Sequence, residues 1–146
     1  YVCGGCSGCD EALDSVERWD PFTEVWEAVP PMLEARHGAT ATVLDGRLHI
    51  CGGWGCGDLP LSSAESFSTR TGSWTAAPPL SEPRSWGGAG VLGGRLYVCG
   101  GQGKDDPLRS AECFDPSAGA WGCVPPMAER RSAPAAAAIG GRLCLC

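Results

Sequence analysis

The residues of this chain with the most potential for chemistry are its ten cysteines. Three of them stand close together in the segment Cys3-Gly4-Gly5-Cys6-Ser7-Gly8-Cys9, and Cys56 lies in a second glycine-rich segment. Thiolates at such short spacing can hold zinc, but a structural zinc site takes four ligands, usually from two paired clusters. Cys3 ends an apolar run and belongs to a strand, which leaves Cys6, Cys9 and Cys56 as loop thiols. We expect no metal and no cofactor, and a metal or redox role for these three thiols stays open.

The other residue types that support catalysis do not form a single site. The sequence contains neither a Gly-x-Ser-x-Gly nucleophile motif nor a phosphate-binding glycine loop. Glu17, Glu65 and Glu112 are 48 and 47 residues apart. A carboxylate repeated in this way indicates a recurring hydrogen bond, because an enzyme needs one acid–base site. His37 and His49 have no third metal ligand in view, and we predict that the chain is not an enzyme.

Three arginines, Arg36, Arg84 and Arg131, keep the same spacing of 48 and 47 residues. A guanidinium offers five N–H donors in a planar fork that suits carboxylates. One interpretation is that these arginines hold an acidic or polar segment of a partner protein. The other is that each pairs with a nearby glutamate of its own loop. Those glutamates are Glu34, Glu82 and Glu129. The sequence leaves both interpretations open.

The elements that position these residues are copies of one unit. The run Gly46-Arg47-Leu48-His49-Ile50-Cys51-Gly52-Gly53 recurs as Gly94-Arg95-Leu96-Tyr97-Val98-Cys99-Gly100-Gly101. Tyr1-Val2-Cys3-Gly4-Gly5 matches its end, and Gly141-Arg142-Leu143-Cys144-Leu145-Cys146 matches its beginning. An apolar strand that leads into a double glycine at a fixed period indicates an internal repeat.

Each repeat is predicted to contain four short strands and no helix. The first strand is rich in small residues, and a turn such as Asp45-Gly46 joins it to the second, which is a strong hairpin signal. A variable loop leads to an alternating third strand, and the fourth strand carries a tryptophan. The first strands are expected at about 37–44, 85–92 and 132–139, the loops at 6–14, 54–62 and 102–109, and the tryptophans are Trp26, Trp74 and Trp121. We therefore predict an all-β chain.

Composition and charge argue against several functions. The net charge of −6 argues against nucleic acid, which requires a basic surface. No apolar run reaches the roughly 18 residues that a membrane-spanning helix needs. Cys3, Cys51, Cys99 and Cys146 occupy one position of the repeat, where small buried thiols fit better than disulfides. This pattern favours a reducing compartment, so we predict a cytoplasmic protein that binds neither nucleic acid nor membrane.

The combined motif resembles the kelch repeat, whose period is about 50 residues. A double glycine is followed by Glu-x-aromatic-Asp-Pro, as in Glu112-Cys113-Phe114-Asp115-Pro116, then by a tryptophan, Pro-Pro-Met and an arginine. The resemblance covers essentially the whole chain and implies a β-propeller whose tryptophans pack between blades. It implies one domain, 1–146, with repeats at roughly 1–36, 37–84, 85–131 and a partial one at 132–146. About three four-stranded blades, two whole and two halves, would form a segment of a larger propeller.

The resemblance also implies a function in protein–protein interaction. In kelch propellers the inter-blade connections and the loops between the second and third strands emerge on one face, where adaptors bind acidic or polar peptide segments. The predicted contact residues are Arg36, Arg84, Arg131, the residues that follow them (His37, Ser85 and Ser132), Trp54 and Gln102. The setting implied is a scaffold or a substrate adaptor of a cullin-based ubiquitin ligase, with a BTB domain outside this segment. The alternative is part of an enzymatic kelch propeller, of the oxidase, sugar epimerase or specifier-protein type, with its site outside this segment.

Overall fold

The computed structural model describes residues 1–8, 11–57 and 59–146, and all regular elements in these ranges are β-strands. The first five are β1 (Val2–Cys3), β2 (Cys6–Ser7), β3 (Glu11–Ala12), β4 (Val16–Asp20) and β5 (Val25–Val29). Strands β1, β4 and β5 form a three-stranded sheet, which we name blade 1. Strands β2 and β3 form a small separate hairpin in the loop between β1 and β4.

Two complete four-stranded sheets follow blade 1. Blade 2 consists of β6 (Thr40–Leu44), β7 (Arg47–Cys51), β8 (Ala64–Ser68) and β9 (Ser73–Ala77). Blade 3 consists of β10 (Gly88–Leu92), β11 (Arg95–Cys99), β12 (Ala111–Asp115) and β13 (Ala120–Val124). All neighbouring strands are antiparallel, and their order in each sheet is their order in the chain. Each sheet is therefore a simple meander, as a propeller blade requires.

The last sheet, blade 4, contains the two strands β14 (Ala136–Ile139) and β15 (Arg142–Leu145). The predicted all-β architecture of propeller blades is confirmed. The first partial blade contains three of the four strands, which is more than the half that the repeat pattern indicated. Within the described ranges there is no helix that is long and apolar enough to cross a membrane.

The hairpin turns have the backbone that their residues predict. Asp45 and Gly46 have φ values of 51° and 70°, and Gly93 and Gly94 have values of 59° and 71°. Two successive residues with positive φ define the type I′ turn, whose twist matches that of the flanking strands. The turns therefore fix the register of the first two strands in each blade, for example Leu44 opposite Arg47.

The first strands of blades 2, 3 and 4 begin three to four residues later than the sequence pattern indicated. The backbone is left-handed at Gly38, Trp86 and Ala133, where φ is 59°, 54° and 53°. Such a residue interrupts an extended strand, so β6, β10 and β14 begin only at residues 40, 88 and 136. The three positions are equivalent in the repeat, and only one of them carries a large side chain.

The hydrophobic core lies between neighbouring blades. One cluster joins blades 1 and 2 and contains Val16, Met32, Ile50, Phe67 and Trp74; the next joins blades 2 and 3 around Leu80, Leu96, Val98 and Phe114. Each blade thus buries its apolar side chains against the next one, as stacked repeats do.

The repeated tryptophans connect each blade to the one before it. The indole Nε1 of Trp74 in blade 2 donates to the carbonyl of Pro30 at 2.8 Å, and that of Trp121 in blade 3 donates to the carbonyl of Pro78 at 2.9 Å. Trp74 is 8% exposed, whereas Trp26 of blade 1 is 49% exposed. The prediction of inter-blade packing is therefore confirmed for Trp74 and Trp121. Trp26 is half-exposed and meets the ring of Trp19 in its own blade, with centroids 5.5 Å apart.

Candidate partner-binding face

The connections between blades and the loops between second and third strands meet on one side of the molecule. Connection 1 (residues 30–39), connection 2 (78–87) and connection 3 (125–135) join successive blades, and loops 52–63 and 100–110 lie beside them. We name the surface that these five segments form, in its described part, the loop face. All eight predicted contact residues belong to these segments.

Arg36 of connection 1 is buried, with only 1% of its surface exposed. Its Nη1 donates to the carbonyl of Gly52 at 2.6 Å, and its Nη2 donates to Oε1 of Glu65 at 2.9 Å. Gly52 and Glu65 belong to blade 2 and its loop, so this side chain fastens the connection to the blade that follows. Its Nη2 also donates to Oε2 of Glu34 at 3.1 Å.

The same arrangement recurs one repeat later. Arg84 of connection 2 is also 1% exposed. Its Nη1 donates to the carbonyl of Gly100 at 2.8 Å, and its Nη2 donates to Oε1 of Glu112 at 2.8 Å. The expectation that Arg36 and Arg84 present their guanidiniums to a partner is therefore wrong, because both side chains are buried and their Nη1 and Nη2 atoms donate to groups of the chain itself.

The backbone of each arginine is fixed by a double glycine. The amide of Gly53 donates to the carbonyl of Arg84 at 2.9 Å, and the amide of Gly101 donates to the carbonyl of Arg131 at 2.8 Å. Gly53 and Gly101 have φ values of 101° and 100°, a conformation that L side chains rarely adopt. The glycine pair that defines the repeat is thus the backbone contact between a blade and the connection leaving it.

The carboxylates of Glu65 and Glu112 each bind two donors. Beside its arginine, Glu65 accepts the backbone N–H of Leu33 at 2.7 Å, and Glu112 accepts that of Ser81 at 2.7 Å. Burial alone raises the pKa of the Glu112 carboxyl, but hydrogen bonds from Ser81 and Arg84 outweigh it, so the pKa lies below its usual value. The predicted recurring hydrogen bond is confirmed at these two positions, and Glu17 of blade 1 is exposed.

Arg131 of connection 3 differs from the two buried arginines. Its side chain is 39% exposed, and its Nη2 donates to Oε2 of Glu129 at 3.5 Å, whose side chain is 76% exposed. The three arginines therefore do not form an exposed positive arc. Only Arg131 is accessible to a partner.

Four of the other predicted contact residues are held in two short bridges, each between a connection and a loop. His37 and Trp54 exchange backbone hydrogen bonds of 2.9 and 2.7 Å, and both side chains are half-buried. Ser85 and Gln102 exchange bonds of 2.9 and 2.6 Å in the next repeat. Ser85 is buried and Gln102 is half-buried, whereas Ser132 is exposed. His37, Trp54, Gln102 and Ser132 remain available as contacts, and Ser85 does not.

Trp86 is the most exposed aromatic residue of the loop face, and the repeat pattern did not single it out. Its side chain is 46% exposed, but both of its backbone groups are hydrogen-bonded. Its amide donates to the carbonyl of Gly38 at 2.7 Å, and its carbonyl accepts from the amide of Ala133 at 2.8 Å. The indole covers Gly38, where a Cβ atom would lie 2.7 Å from Cε2, and it meets the His37 ring edge-on with centroids 6.1 Å apart. The signal in the sequence was an aromatic residue where the other repeats have glycine and alanine.

Two equivalent clefts open beside the connections. One, of about 310 Å³, lies between Glu82 of connection 2 and loop residues 103–108, with Arg130 at its edge. The other, of about 380 Å³, lies between Glu34 of connection 1 and loop residues 55–57 and 59–61. Each cleft therefore contains the half-exposed glutamate of its connection. Trp86 belongs to connection 2, and its amide donates to the carbonyl of Gly38 in connection 1.

The cysteines divide into interior and surface thiols. All nine cysteines that the structure describes are free, and Cys9 lies outside the described residues. Cys51 and Cys99 are buried as predicted, and burial raises the pKa of the Cys51 thiol to about 12. Cys3 is only half-buried and Cys146 is exposed, which corrects the expectation of four buried thiols. In residues 1–8, 11–57 and 59–146, no three His, Cys, Asp or Glu side chains are placed to hold a metal ion.

The exposed and the buried thiols should react with a thiol reagent at clearly different rates. We expect iodoacetamide to modify the exposed Cys6 and Cys56 quickly, and Cys51 and Cys99 only after unfolding, because a buried thiol with a raised pKa supplies almost no thiolate. Mass spectrometry of native and urea-unfolded protein gives the modified fraction of each residue. Fast native labelling of Cys51 would contradict the burial of the strand end.

The arrangement of the repeats identifies the family. A family model described as the kelch motif matches residues 1–33, 35–81 and 83–128, most of the chain. No curated protein matches the sequence. Kelch repeats generally mediate protein–protein interactions, and kelch domains are typically non-enzymatic scaffolds. Because this model matches three consecutive repeats that together cover most of the chain, the chain belongs to the kelch-repeat family.

Proposed function

We propose that this chain is a non-catalytic interaction module that binds a protein partner through the loop face, with Trp86 as the central contact. The observation that carries the proposal is an exposed tryptophan whose backbone is held rigidly by two neighbouring connections. Tryptophan is among the residues that most often dominate the binding energy of an interface. A rigid anchor also loses little conformational entropy on binding.

Two further features support Trp86 over the arginines as the anchor. Its left-handed backbone, with φ of 54°, is costly for a bulky residue. Glycine and alanine occupy the equivalent positions 38 and 133, so the fold itself does not require an indole here. The flanking His37, Trp54 and Gln102 supply half-exposed aromatic and polar contacts around it.

The wider setting that we propose is a scaffold or the substrate-recognition part of a cullin-based ubiquitin ligase in the cytoplasm. In that setting a BTB domain outside this segment binds the cullin, and the loop face selects the substrate. The support is the family's usual role in protein–protein interaction together with a set of buried free thiols, which suits a reducing compartment.

The change Trp86→Ala should abolish partner binding without disturbing the fold. Loss of a tryptophan anchor costs about 2 kcal/mol or more, which is roughly a thirty-fold loss of affinity. Stability should change by less than about 1 kcal/mol, because the side chain is exposed and alanine already occupies the equivalent position 133.

The matched control is Trp26→Ala, which removes an indole of similar exposure, 49% against 46%, from blade 1. Proteins recovered on each immobilised variant from a cell extract are quantified by mass spectrometry. The proposal requires at least one protein whose recovery falls more than about tenfold with Trp86→Ala and stays constant with Trp26→Ala. Equal recovery on wild type and Trp86→Ala would overturn it.

A further inference from the structure

Each buried arginine of the loop face lies beside two carboxylates. Arg36 faces two carboxylates, Glu65 at 2.9 Å and Glu34 at 3.1 Å. One guanidinium neutralises only one of them, so each such cluster retains an excess negative charge. Glu65 is buried and Glu34 is 43% exposed, which places the excess charge at the surface of the loop face.

The equivalent cluster of connection 2 has the same balance. Arg84 lies 2.8 Å from Glu112 and 3.6 Å from Glu82, and Glu82 is also 43% exposed. The oxygen of Glu82 that faces Arg84 also accepts a hydrogen bond from Ser110 Oγ at 2.5 Å. The carboxylate is therefore held in place in the wall of its cleft with one side toward solvent.

The rim of this cleft adds further carboxylates. Asp105 and Asp106 are exposed beside Glu82, against the two cations Lys104 and Arg130. Arg130 is partly engaged, because its Nη1 donates to the carbonyl of Pro107 at 2.8 Å. The exposed carboxylates of the cleft thus outnumber its cations, on a chain whose net charge is −6.

The second, independent observation is the indole of Trp86 on the same face. Trp86 and Glu82 are four residues apart, so their Cα atoms are separated by at most roughly 14 Å. A bound lysine or arginine is attracted to the face of an indole within about 6 Å of its centre. An extended peptide with basic residues a few positions apart therefore spans the indole and the glutamate together.

We propose, on the basis of the function proposed above, that the partner segment is basic rather than acidic. One lysine or arginine stacks on Trp86, and others pair with the exposed carboxylates of Glu34 and Glu82. An acidic segment, the partner that the arginine pattern indicated, meets like charge at both clefts and finds the guanidiniums of Arg36 and Arg84 buried.

Selection from random peptides tests this chemistry directly. A phage library of random dodecapeptides is selected in parallel on the wild-type chain and on Trp86→Ala. We expect the peptides that bind only the wild type to be enriched in Lys and Arg and depleted of Asp and Glu. Their affinity should fall with added salt, as it does for contacts between exposed charges.

Charge-neutral variants identify the carboxylates involved. For one selected peptide we expect Glu82→Gln to weaken binding about two- to five-fold, which is the loss of affinity expected when one exposed ion pair is removed. The double variant Glu34→Gln, Glu82→Gln should weaken binding further. Glu24→Gln, an exposed carboxylate in the turn between β4 and β5, is the control and should leave the affinity unchanged.

The outcomes separate this inference from the proposed function. Acidic peptides that depend on Trp86 would overturn the inference of a basic partner and leave the interaction site standing. Peptides that bind Trp86→Ala equally well, or a failure to select any peptide on the wild type, would overturn both. Basic peptides whose affinity is insensitive to Glu34→Gln and Glu82→Gln would overturn the assignment of the two carboxylates.

Discussion

Replacing Arg84 by alanine is expected to destabilise the chain by about 3–5 kcal/mol, the usual cost of removing one partner of a buried ion pair. The reason is Glu112, which would remain in the interior with only the Ser81 amide to bind its charge. The carbonyl of Gly100 would also lose its donor. Urea unfolding of the wild type and the variant, followed by tryptophan fluorescence, gives the difference in free energy of unfolding.

Arg131→Ala is the matched control for this change. It removes the same side chain at the equivalent repeat position, where the guanidinium is 39% exposed and its glutamate partner is 76% exposed. Exposed pairs contribute about 0–1 kcal/mol, so the two variants should differ by at least about 2 kcal/mol. A loss below about 1 kcal/mol for Arg84→Ala would show that its guanidinium is not fixed in the interior.

Trp74→Ala should cost a similar amount, about 3–5 kcal/mol, as is typical for a large buried aromatic residue. Trp74 fills the space between blades 1 and 2, where its ring lies 5.1 Å from that of Phe67 between centroids. Its indole N–H also binds the Pro30 carbonyl, which would lose this donor. Both effects act on the contact between two blades.

The control for Trp74 is Trp26→Ala at the equivalent position of blade 1. Because 49% of Trp26 is exposed, we expect that variant to lose less than about 1 kcal/mol of stability. The comparison is made by urea unfolding under identical conditions. Equal losses for the two variants would contradict the account in which the repeated tryptophan acts through the neighbouring blade.

Much of the fold was predictable from the sequence because its determinants recur at every repeat. The Gly93-Gly94 turn, the strand ending at Cys99 and the tryptophan at 121 each follow from local residue chemistry at a fixed period. The late start of the first strands was not predictable in the same way. A left-handed residue at Trp86 or Ala133 has no signal in its own residue type, since glycine is the usual choice there.

The candidate site was harder to predict because its residues are decided by contacts between blades. Arg36 lies near Glu34 in sequence, but its closer carboxylate is Glu65, 29 residues away, which only packing brings within 2.9 Å. The spacing alone therefore fits both a partner contact and an internal pair. Trp86 does not follow from the repeat pattern, because glycine and alanine occupy the equivalent positions 38 and 133.

The most direct test of the account is the set of tryptophan indole N–H signals in a ¹H–¹⁵N spectrum of the labelled chain. These signals are assigned by single Trp→Phe substitutions and followed while a selected peptide is added. We expect the signal of Trp86 to shift, and those of Trp26 and of the inter-blade Trp74 to stay in place. A peptide that binds tightly and leaves the Trp86 signal unmoved, or shifts that of Trp26 in its place, would contradict the assignment of partner binding to the loop face.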